Sequence, residues 1–424
     1  MKKRTIGVVS LGCPRNVVDT EGVLGRLKKK GYRVVDIEKA DVALVNTCAF
    51  IAEAKRESID VILDLIELKK AGKIGTIIVH GCLTQRYKEE LRRELPEVDA
   101  FIGKLALTGE MERAAITPSH YAYLKICEGC VNQCSFCVIP RIKGGLRSLA
   151  QEDIVKRVRS LRRQGIAELN IVGQDITGYG LDAGGKFQLA DLLRRILRDV
   201  PGIPWVRLLY LYPGRITDEL LSVIRDSPRV CRYVDVPIQH CSDRILRLMN
   251  RSVSKAGIAG MLEKIRKRLP GVALRTSVIV GFPSETDKEF RELLAFLKEF
   301  EFERLGAFMY SREEDTPAYS YQRQVAERTK RSRFDILMAQ QQDISRRVNA
   351  RFIGKRLEVL IDGKENGGYI GRTRFDAPEV DGSVYVESPR ELTPGELVMA
   401  RITDTVEYDL TGVADEGPVN EYCE

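Results

Sequence analysis

The sequence predicts a multidomain α/β protein, and three observations along its 424 residues support this fold class. Apolar strands alternate with helical segments through the first two regions, as parallel sheets covered by helices require. Glycine-bearing turns separate short strands in the last region, which predicts a small antiparallel β-barrel. Since a domain usually holds about 100 to 200 residues, the chain is long enough for several hydrophobic cores.

The first region repeats one pattern three times: an apolar strand, a cysteine and a helical segment. IGVVSLGC ends at Cys13, VALVNTC at Cys48 and TIIVHGC at Cys82. The carboxyl ends of parallel strands form the ligand crevice of such sheets, so the three cysteines can converge on one metal centre. The alternative is that each is a small buried residue at a strand end. Their equivalent positions in successive units favour metal ligation.

The second region contains six strand candidates, most of them followed by a helical segment. They are YAYLKIC, ELNIVGQ, WVRLLYLY, YVDVPIQ, LRTSVIVGF and RLGAFMY. Six such units predict a curved, partly closed relative of the β/α barrel, with its active site at the carboxyl ends of the strands. The polar residues at these ends are Gln174, Asp175, Tyr212, Gln239, His240, Glu285 and Ser311.

The third region follows a basic helical segment over residues 325–348. Its strand candidates are RLEVLID, GGYIGRTR, GSVYVES, LVMARITD and DLTGVAD, which predict the small barrel.

Cysteine usage and hydropathy indicate a cytoplasmic protein. No apolar run approaches the roughly 18 residues that a membrane span needs. The first thirteen residues superficially resemble a lipoprotein signal, but the apolar stretch at residues 5–12 is short and equally typical of a buried strand. Ten cysteines without a credible export signal point to metal binding or catalysis in a reducing compartment.

The segment GCVNQCSFCVIP places Cys130, Cys134 and Cys137 in the spacing C-x3-C-x2-C. Three thiolates from one loop can hold three irons of a 4Fe-4S cluster and leave the fourth iron open. A structural zinc ion normally takes four ligands. Cys127 could supply a fourth thiol, so a zinc site stays open as an alternative.

The loop, with Phe136 at its aromatic position, resembles the defining motif of the radical S-adenosylmethionine superfamily. Together with the earlier cysteines, the chain resembles the methylthiotransferases of that superfamily over nearly its whole length. The matching segments are SLGCPRNVVDTE, NTCAFIAEAKRES, GCLTQRY, CEGCVNQCSFCVIPRIKGGLRS, VPIQHCSDRILRLMNR, LRTSVIVGFPSET and GRTRFDAPEVDG. The resemblance implies a methylthiotransferase N-terminal domain at 4–116, a radical core built as a partial (β/α)6 barrel at 117–348, and a TRAM domain at 351–418.

The resemblance also implies the cofactors. Cys130, Cys134 and Cys137 would hold one 4Fe-4S cluster, whose open iron binds S-adenosylmethionine and whose electron cleaves it to a 5′-deoxyadenosyl radical. Cys13, Cys48 and Cys82 would hold a second 4Fe-4S cluster, which carries the sulfur to be inserted. A second S-adenosylmethionine would supply the methyl group. An electron donor and a sulfur donor of unspecified identity are further partners.

By the same resemblance, Gln174 and Asp175 lie beside the methionine amino group and Glu285 beside the adenosine. Arg207, Gln239 and Arg275 would contact cofactor or substrate, and Gly281 would let the backbone approach a ligand. The alternative is that these residues are solvated or salt-bridged side chains of a polar barrel. The sequence departs from the family pattern at Cys127, Ser284 and Asp315, which puts the local loop geometry in doubt. Cys231, Cys241 and Cys423 lack ligand spacing and are interpreted as packing or surface thiols.

Two branches of the family differ in their acceptor: an adenosine of tRNA, or the β-carbon of an aspartate in ribosomal protein uS12. SLGCPRN, NTCAFI and DAPEVDG resemble the second branch. Charge favours it as well, because residues 355–424 carry a net charge of −9 and residues 1–354 carry +17. An acidic module repels tRNA and attracts a basic ribosomal protein.

We therefore expect uS12, or the small ribosomal subunit, as partner. Exposed acids such as Asp376, Glu379 and Asp381 would make the docking contacts. Two alternatives remain open: a tRNA methylthiotransferase, and a non-catalytic ribosome- or RNA-binding module whose cysteines hold structural zinc.

Overall fold

The computed structural model describes residues 4–104, 113–365 and 367–415, and Cys423 lies outside them. The first domain is a five-stranded parallel sheet in the order β2-β1-β3-β4-β5. Its elements are β1 (Thr5–Ser10), α1 (Pro14–Lys29), β2 (Arg33–Val34), β3 (Val42–Thr47), α2 (Ala52–Lys70), β4 (Thr76–Gly81), α3 (Cys82–Glu94) and β5 (Ala100–Ile102). The predicted repeat is confirmed, because β1, β3 and β4 each lead into a cysteine and then a helix.

Local chemistry explains why helix α1 begins directly after Cys13. Pro14 occupies the first turn of α1, where its missing N–H costs nothing and its fixed φ suits the helix. Basic residues fill the last turn and complement the helix dipole. Strand β3 is buried along its whole length, as expected for a central strand covered on both faces.

The second domain has six parallel barrel strands in two sheets, β10-β9-β6 and β11-β12-β13. A bridge between Val206 and Val230 links the sheets, and β6 and β13 each pair with one strand only, so the barrel is partial. The elements are β6 (Tyr121–Lys125), β7 (Cys127–Glu128), α4 (Ile139–Lys143), β8 (Arg147–Ser148), α5 (Gln151–Arg163), β9 (Glu168–Val172), α6 (Leu189–Asp199), β10 (Trp205–Leu208), α7 (Asp218–Asp226), β11 (Tyr233–Asp235), α8 (Asp243–Leu248), α9 (Lys255–Arg268), β12 (Ala273–Val280), α10 (Asp287–Phe300), β13 (Arg304–Met309) and α11 (Glu327–Ala350).

A large apolar core lies between the barrel strands and the helices that follow them. Leu169 and Ile171 of β9 pack in the same cluster as Leu193 and Ile196 of α6, and all four are fully buried. Because successive strand residues point to opposite faces, the other side chains of these strands face the barrel interior. The prediction of six strands with this geometry is confirmed.

The third domain is a closed five-stranded barrel in the order β14-β15-β16-β18-β17. Its strands are β14 (Arg356–Glu365), β15 (Gly368–Thr373), β16 (Val384–Glu387), β17 (Leu397–Thr405) and β18 (Leu410–Ala414). All neighbouring strands are antiparallel except β16 and β18, which pair in parallel. The predicted small barrel is confirmed, and because an odd number of strands cannot close with every pair antiparallel, one of its five pairs is parallel.

The DAPEVDG loop of the third domain packs against the amino ends of the second domain's strands. Asp376 accepts a hydrogen bond of 2.7 Å from Arg304, and Asp381 accepts one of 2.6 Å from the Tyr233 hydroxyl. Both carboxylates are buried, at side-chain exposures of 2% and 3%. Glu379 is exposed but accepts a hydrogen bond from the Tyr121 hydroxyl. The expectation that these acids are free to dock a partner was therefore wrong, because arginine and tyrosine side chains of the second domain already bond to them.

A second buried ionic network joins the same two domains. Glu168 is fully buried and accepts hydrogen bonds from Arg207 at 2.8 Å and Arg372 at 2.6 Å. Arg372 also donates to Asp362, which in turn contacts His120. Removing one member of a buried ion pair lowers the folding stability by more than the pair contributes, because the remaining charge is left buried without a partner.

No helix among the described residues is both long enough and apolar enough to cross a membrane.

Replacing Glu168 by Gln is expected to destabilise the protein by about 3–5 kcal/mol, because two buried guanidinium groups would lose their shared charge partner. Glu89→Gln is the matched control, since Glu89 pairs with Arg92 on the surface. Urea unfolding followed by circular dichroism measures both variants. Equal midpoints for the two variants would contradict a structural role for the network.

Candidate metal centres

The first thiol triad lies where the loops after β1, β3 and β4 meet. Cys48 and Cys82 are buried, and Cys13 is partly exposed. Gly12 has a left-handed φ of 90°, and a Cβ there would lie 2.8 Å from the Cβ of Cys48. A glycine before Cys13 is therefore needed for the first and second cysteine loops to approach each other.

Two asparagines hold the backbone of this triad. The Asn16 side chain donates to the carbonyls of Leu11 and Thr47, and its Oδ1 lies 4.0 Å from the Cys82 Sγ. The Asn46 side chain donates to the Asn16 carbonyl at 2.9 Å. These contacts connect the three segments that carry Cys13, Cys48 and Cys82.

The thiols of this site differ in acidity. Burial raises the pKa of Cys48, and it raises the pKa of Cys82 to about 12. Burial would also raise the pKa of Cys13, but the nearby Arg15 charge and its hydrogen bond lower that pKa overall. Cys13 is thus the member of the triad that most readily provides a thiolate, the form that binds metals.

The second triad lies on the loop between β7 and α4. The backbone N–H and the side-chain amide of Asn132 both lie 3.4 Å from the Cys130 Sγ, and the Cys137 N–H donates to the Cys134 carbonyl. Ser135 anchors the loop by donating from its N–H to the Met249 carbonyl. Burial raises the pKa of Cys130 and raises that of Cys137 to about 12.

Positively charged and amide donors surround both triads. Arg15 donates to the Cys13 Sγ at 3.2 Å, and Arg251 contacts the Cys134 Sγ at 3.9 Å. A cluster bound by three thiolates is soft and negatively charged, so these donors suit it. No group of three or more His, Cys, Asp and Glu among the described residues is arranged for a metal ion. The ligands of a 4Fe-4S cluster bind different irons, so they need not converge on a single point.

The predicted residue Asp175 lies beside the second triad and is fully committed to hydrogen bonds. Its Oδ2 accepts from Arg215 at 2.5 Å and from Asn132 at 2.8 Å, and its Oδ1 accepts from the Thr177 N–H. The neighbouring Gln174 donates to Glu128 at 3.0 Å, while its buried Oε1 has no partner among the described groups.

Glu285 is buried and pairs with Arg333 at 2.8 Å. The Glu285 Oε2 accepts from the Gly281 N–H at 2.8 Å and lies 3.8 Å from the His240 Nε2. Burial raises the pKa of Glu285 to about 7 and lowers that of His240 to about 3, so the histidine is neutral. Phe136 belongs to the adjacent apolar cluster and meets Phe282 edge to face.

Gly281 has a left-handed φ of 72°, and a Cβ there would lie 2.4 Å from the Lys330 side chain. The structure thus gives a different reason for this glycine from the predicted approach of a ligand. Packing of α11 against the loop after β12 requires it.

The remaining predicted residues are Arg207, Arg275 and Gln239. Arg207 is fully buried and contacts Glu168, the Arg374 carbonyl and the Tyr233 ring, so the structure gives it an interdomain contact and no contact with either triad. Arg275 bonds to Asp235 and Asp381. Gln239 is partly exposed, adopts a left-handed φ of 70° and bonds through its backbone to Ser277.

The other residues named in the sequence analysis are cysteines buried in apolar cores and hydroxyl groups that accept hydrogen bonds. Cys127 is fully buried in the barrel core, with its Sγ 3.9 Å from the Asp175 carbonyl. Cys231 and Cys241 are buried in apolar clusters. The Tyr212 hydroxyl accepts from the Ser252 N–H, and Ser311 accepts from the Ala52 N–H of the first domain.

Sequence reasoning missed the basic residues at the triads. Arg15, Arg215, Arg251 and Lys143 all contact or face these sites. Arg15 lies two residues after Cys13 in SLGCPRN, so its position beside a cysteine motif was an available signal, whereas Arg251 lies far in sequence from both triads.

Comparison with protein families matches all three domains. The Uncharacterized protein family UPF0004 matches residues 5–103, the Radical SAM superfamily residues 124–297, and the TRAM domain residues 353–414.

A solved structure shares the fold over most of the chain. The radical S-adenosylmethionine methyltransferase TsrM from Kitasatospora setae, with tryptophan substrate and a S-adenosylmethionine analogue bound, superposes with a TM-score of 0.53 at 13% identity. The match covers 80% of this chain and 89% of that one. At this identity the likeness concerns the fold alone.

Curated relatives match nearly the whole chain. Ribosomal protein uS12 methylthiotransferase RimO from Clostridioides difficile (strain 630) is 45% identical over 96% of this chain and 98% of its own. The proteins of the same name from Thermoanaerobacter sp. (strain X514) and Geotalea uraniireducens (strain Rf4) are 44% and 45% identical over 96% and 97% of this chain, and over 99% and 98% of their own. With the two thiol triads and the three domains, this similarity shows that the chain belongs to the RimO family of radical S-adenosylmethionine methylthiotransferases.

Proposed function

We propose that this enzyme methylthiolates the β-carbon of an aspartate in ribosomal protein uS12, in the cytoplasm. It would use two 4Fe-4S clusters and two molecules of S-adenosylmethionine, one as radical source and one as methyl donor. The observation that carries the proposal is the pair of thiol triads on two adjoining domains, where Arg15 donates both to the Cys13 Sγ and to the Gly173 carbonyl of the second domain. The names of the relatives support uS12 as acceptor.

When bound, the loop cluster with S-adenosylmethionine supplies a carbon-centred radical, and the other cluster supplies sulfur. Around the loop, Asn132 and Arg251 donate toward the Cys130 and Cys134 sulfurs. Hydrogen bonds of this kind stabilise ligating thiolates and tune a cluster's potential. We propose that Gln174, Gln239 and Glu285 line the S-adenosylmethionine site.

The side-chain amide of Gln174 supports a place in the S-adenosylmethionine site. Its buried Oε1 has no hydrogen-bond partner among the described residues and is able to accept from the ammonium group of the cofactor. Asp175 would act differently. Its carboxylate is held by Arg215 and Asn132, so it positions the loop beside Cys130.

The charge of the third domain still favours a basic acceptor after the correction to its DAPEVDG loop. Glu387, Glu391, Asp404 and Glu407 remain exposed on it. Such rim charges act on encounter rate and partner choice more than on affinity. A tRNA acceptor would meet repulsion here, which places the tRNA methylthiotransferase second.

The iron content tests the two-cluster proposal. Reconstituted without oxygen, the native protein should bind about eight irons and the triple variant Cys130→Ala, Cys134→Ala, Cys137→Ala about four. Cys241→Ala is the matched control and should keep the native amount, because Cys241 is a buried core thiol. A triple variant with all its iron, or a native protein that binds only zinc, would contradict the assignment.

The roles of the triads can be separated by their products. With a strong reductant and uS12, the native protein should form 5′-deoxyadenosine and methylthiolated uS12. The Cys13→Ala, Cys48→Ala, Cys82→Ala variant should form 5′-deoxyadenosine without that product, since it lacks the sulfur-bearing site. Liquid chromatography and mass spectrometry measure both. Methylthiolated uS12 made by this variant would contradict the assignment of radical formation to one triad and sulfur delivery to the other.

A further inference from the structure

The side chain of Arg15 lies between the two thiol triads. Its Nε donates to the Cys13 Sγ at 3.2 Å, and its Nη1 donates to the Gly173 carbonyl at the end of β9, also at 3.2 Å. The guanidinium stacks on the Tyr210 ring at 4.6 Å. Gly173 leads into Asp175, which accepts from Asn132, and the Asn132 side chain donates to the Cys130 Sγ of the other triad. Arg15 therefore joins the first triad to the strand end beside the second triad.

Arg15 lacks an acidic partner: within residues 4–104, 113–365 and 367–415, no carboxylate forms an ion pair with it. Arginines of the second domain such as Arg207, Arg215, Arg275 and Arg304 each pair with a carboxylate. Arg251 beside the second triad shares the lack of an ion pair among these residues, but it donates to the Cys134 Sγ and the Pro237 carbonyl. A guanidinium has five N–H donors, and Arg15 uses two of them, so three remain available.

Tyr210 helps to fix the direction of these donors. It adopts a left-handed φ of 67°, and its N–H donates to the buried Asp235 carboxylate at 2.8 Å. A non-glycine residue holds such a backbone conformation only where its surroundings enforce it. The ring on which Arg15 stacks is thus held in place, and the guanidinium is oriented before any ligand arrives.

We propose that Arg15 binds the side-chain carboxylate of the acceptor aspartate and makes the enzyme selective for an acidic acceptor; this inference rests on the proposed function. The planar guanidinium matches a carboxylate through two parallel hydrogen bonds. The aspartate β-carbon is one bond from its carboxyl carbon. Holding the carboxylate at Arg15 would therefore place the reacting carbon between the two triads.

Two uS12 peptides, with aspartate or asparagine at the acceptor position, test this role. We expect Arg15→Gln to weaken binding of the aspartate peptide about 10- to 100-fold and to change binding of the asparagine peptide little, because a charge-assisted hydrogen bond is lost only in the first case. Fluorescence anisotropy measures binding, and methylthiolated peptide gives KM and kcat. Arg15→Lys should restore part of the preference, since it keeps the charge and loses the planar fork.

Arg141→Gln is the matched control, because Arg141 is an exposed arginine on α4 beside the cysteine loop. It should keep the native preference for the aspartate peptide. The inference is overturned if Arg15→Gln also keeps that preference, or if it loses both peptides equally, which would indicate a structural role. A native protein that modifies neither uS12 nor the aspartate peptide would overturn the proposed function itself, a different result from an unchanged preference in an enzyme that does modify uS12.

Discussion

Buried ion pairs between helix α1 and the second domain fix the relation between the two thiol triads. Lys125 of β6 donates to Asp19 of α1 and, at 2.5 Å, to Glu128, while Lys143 donates to Asp19 at 3.2 Å. Asp19 lies six residues after Cys13, and Glu128 lies two residues before Cys130. Charges buried this deeply must stay paired, so the two domains cannot slide past each other without a large cost in free energy.

Contacts on other sides of the barrel reinforce the same arrangement. Glu313, after β13, accepts from Lys55 and Arg86 of the first domain, and its side chain is 1% exposed. At the amino ends of the barrel strands, the third domain inserts Asp376 and Asp381 among buried arginines. Buried ion pairs therefore hold the barrel from both sides, against the domain that carries the first triad and against the third domain. A rigid frame suits chemistry in which a reactive radical must meet one substrate atom.

Much of this architecture could be predicted because it depends on local patterns. Strand length, the cysteine after each strand and the turns of the last domain are all encoded within a few residues, and the structure has these strands in the predicted places. The exposure of Asp376 and Asp381 could not be predicted, since their partners Arg304 and Tyr233 lie about 70 and 150 residues earlier in the sequence. An acidic turn looks the same in sequence whether it faces solvent or a buried arginine. Arg15 was missed for a related reason: after a proline, it looks like an ordinary residue in the first turn of a helix.

The central claim is that this chain modifies an aspartate of uS12, and intact-mass analysis of uS12 from cells with and without the gene tests it most directly. We expect uS12 from cells with the gene to carry the added mass of one methylthio group, located to an aspartate-containing peptide after digestion, and uS12 from cells without it to lack that mass. The tRNA nucleosides of the same cells should be unchanged. Identical uS12 masses, together with the loss of a methylthiolated adenosine from tRNA, would contradict the account and assign the enzyme to the other branch of its family.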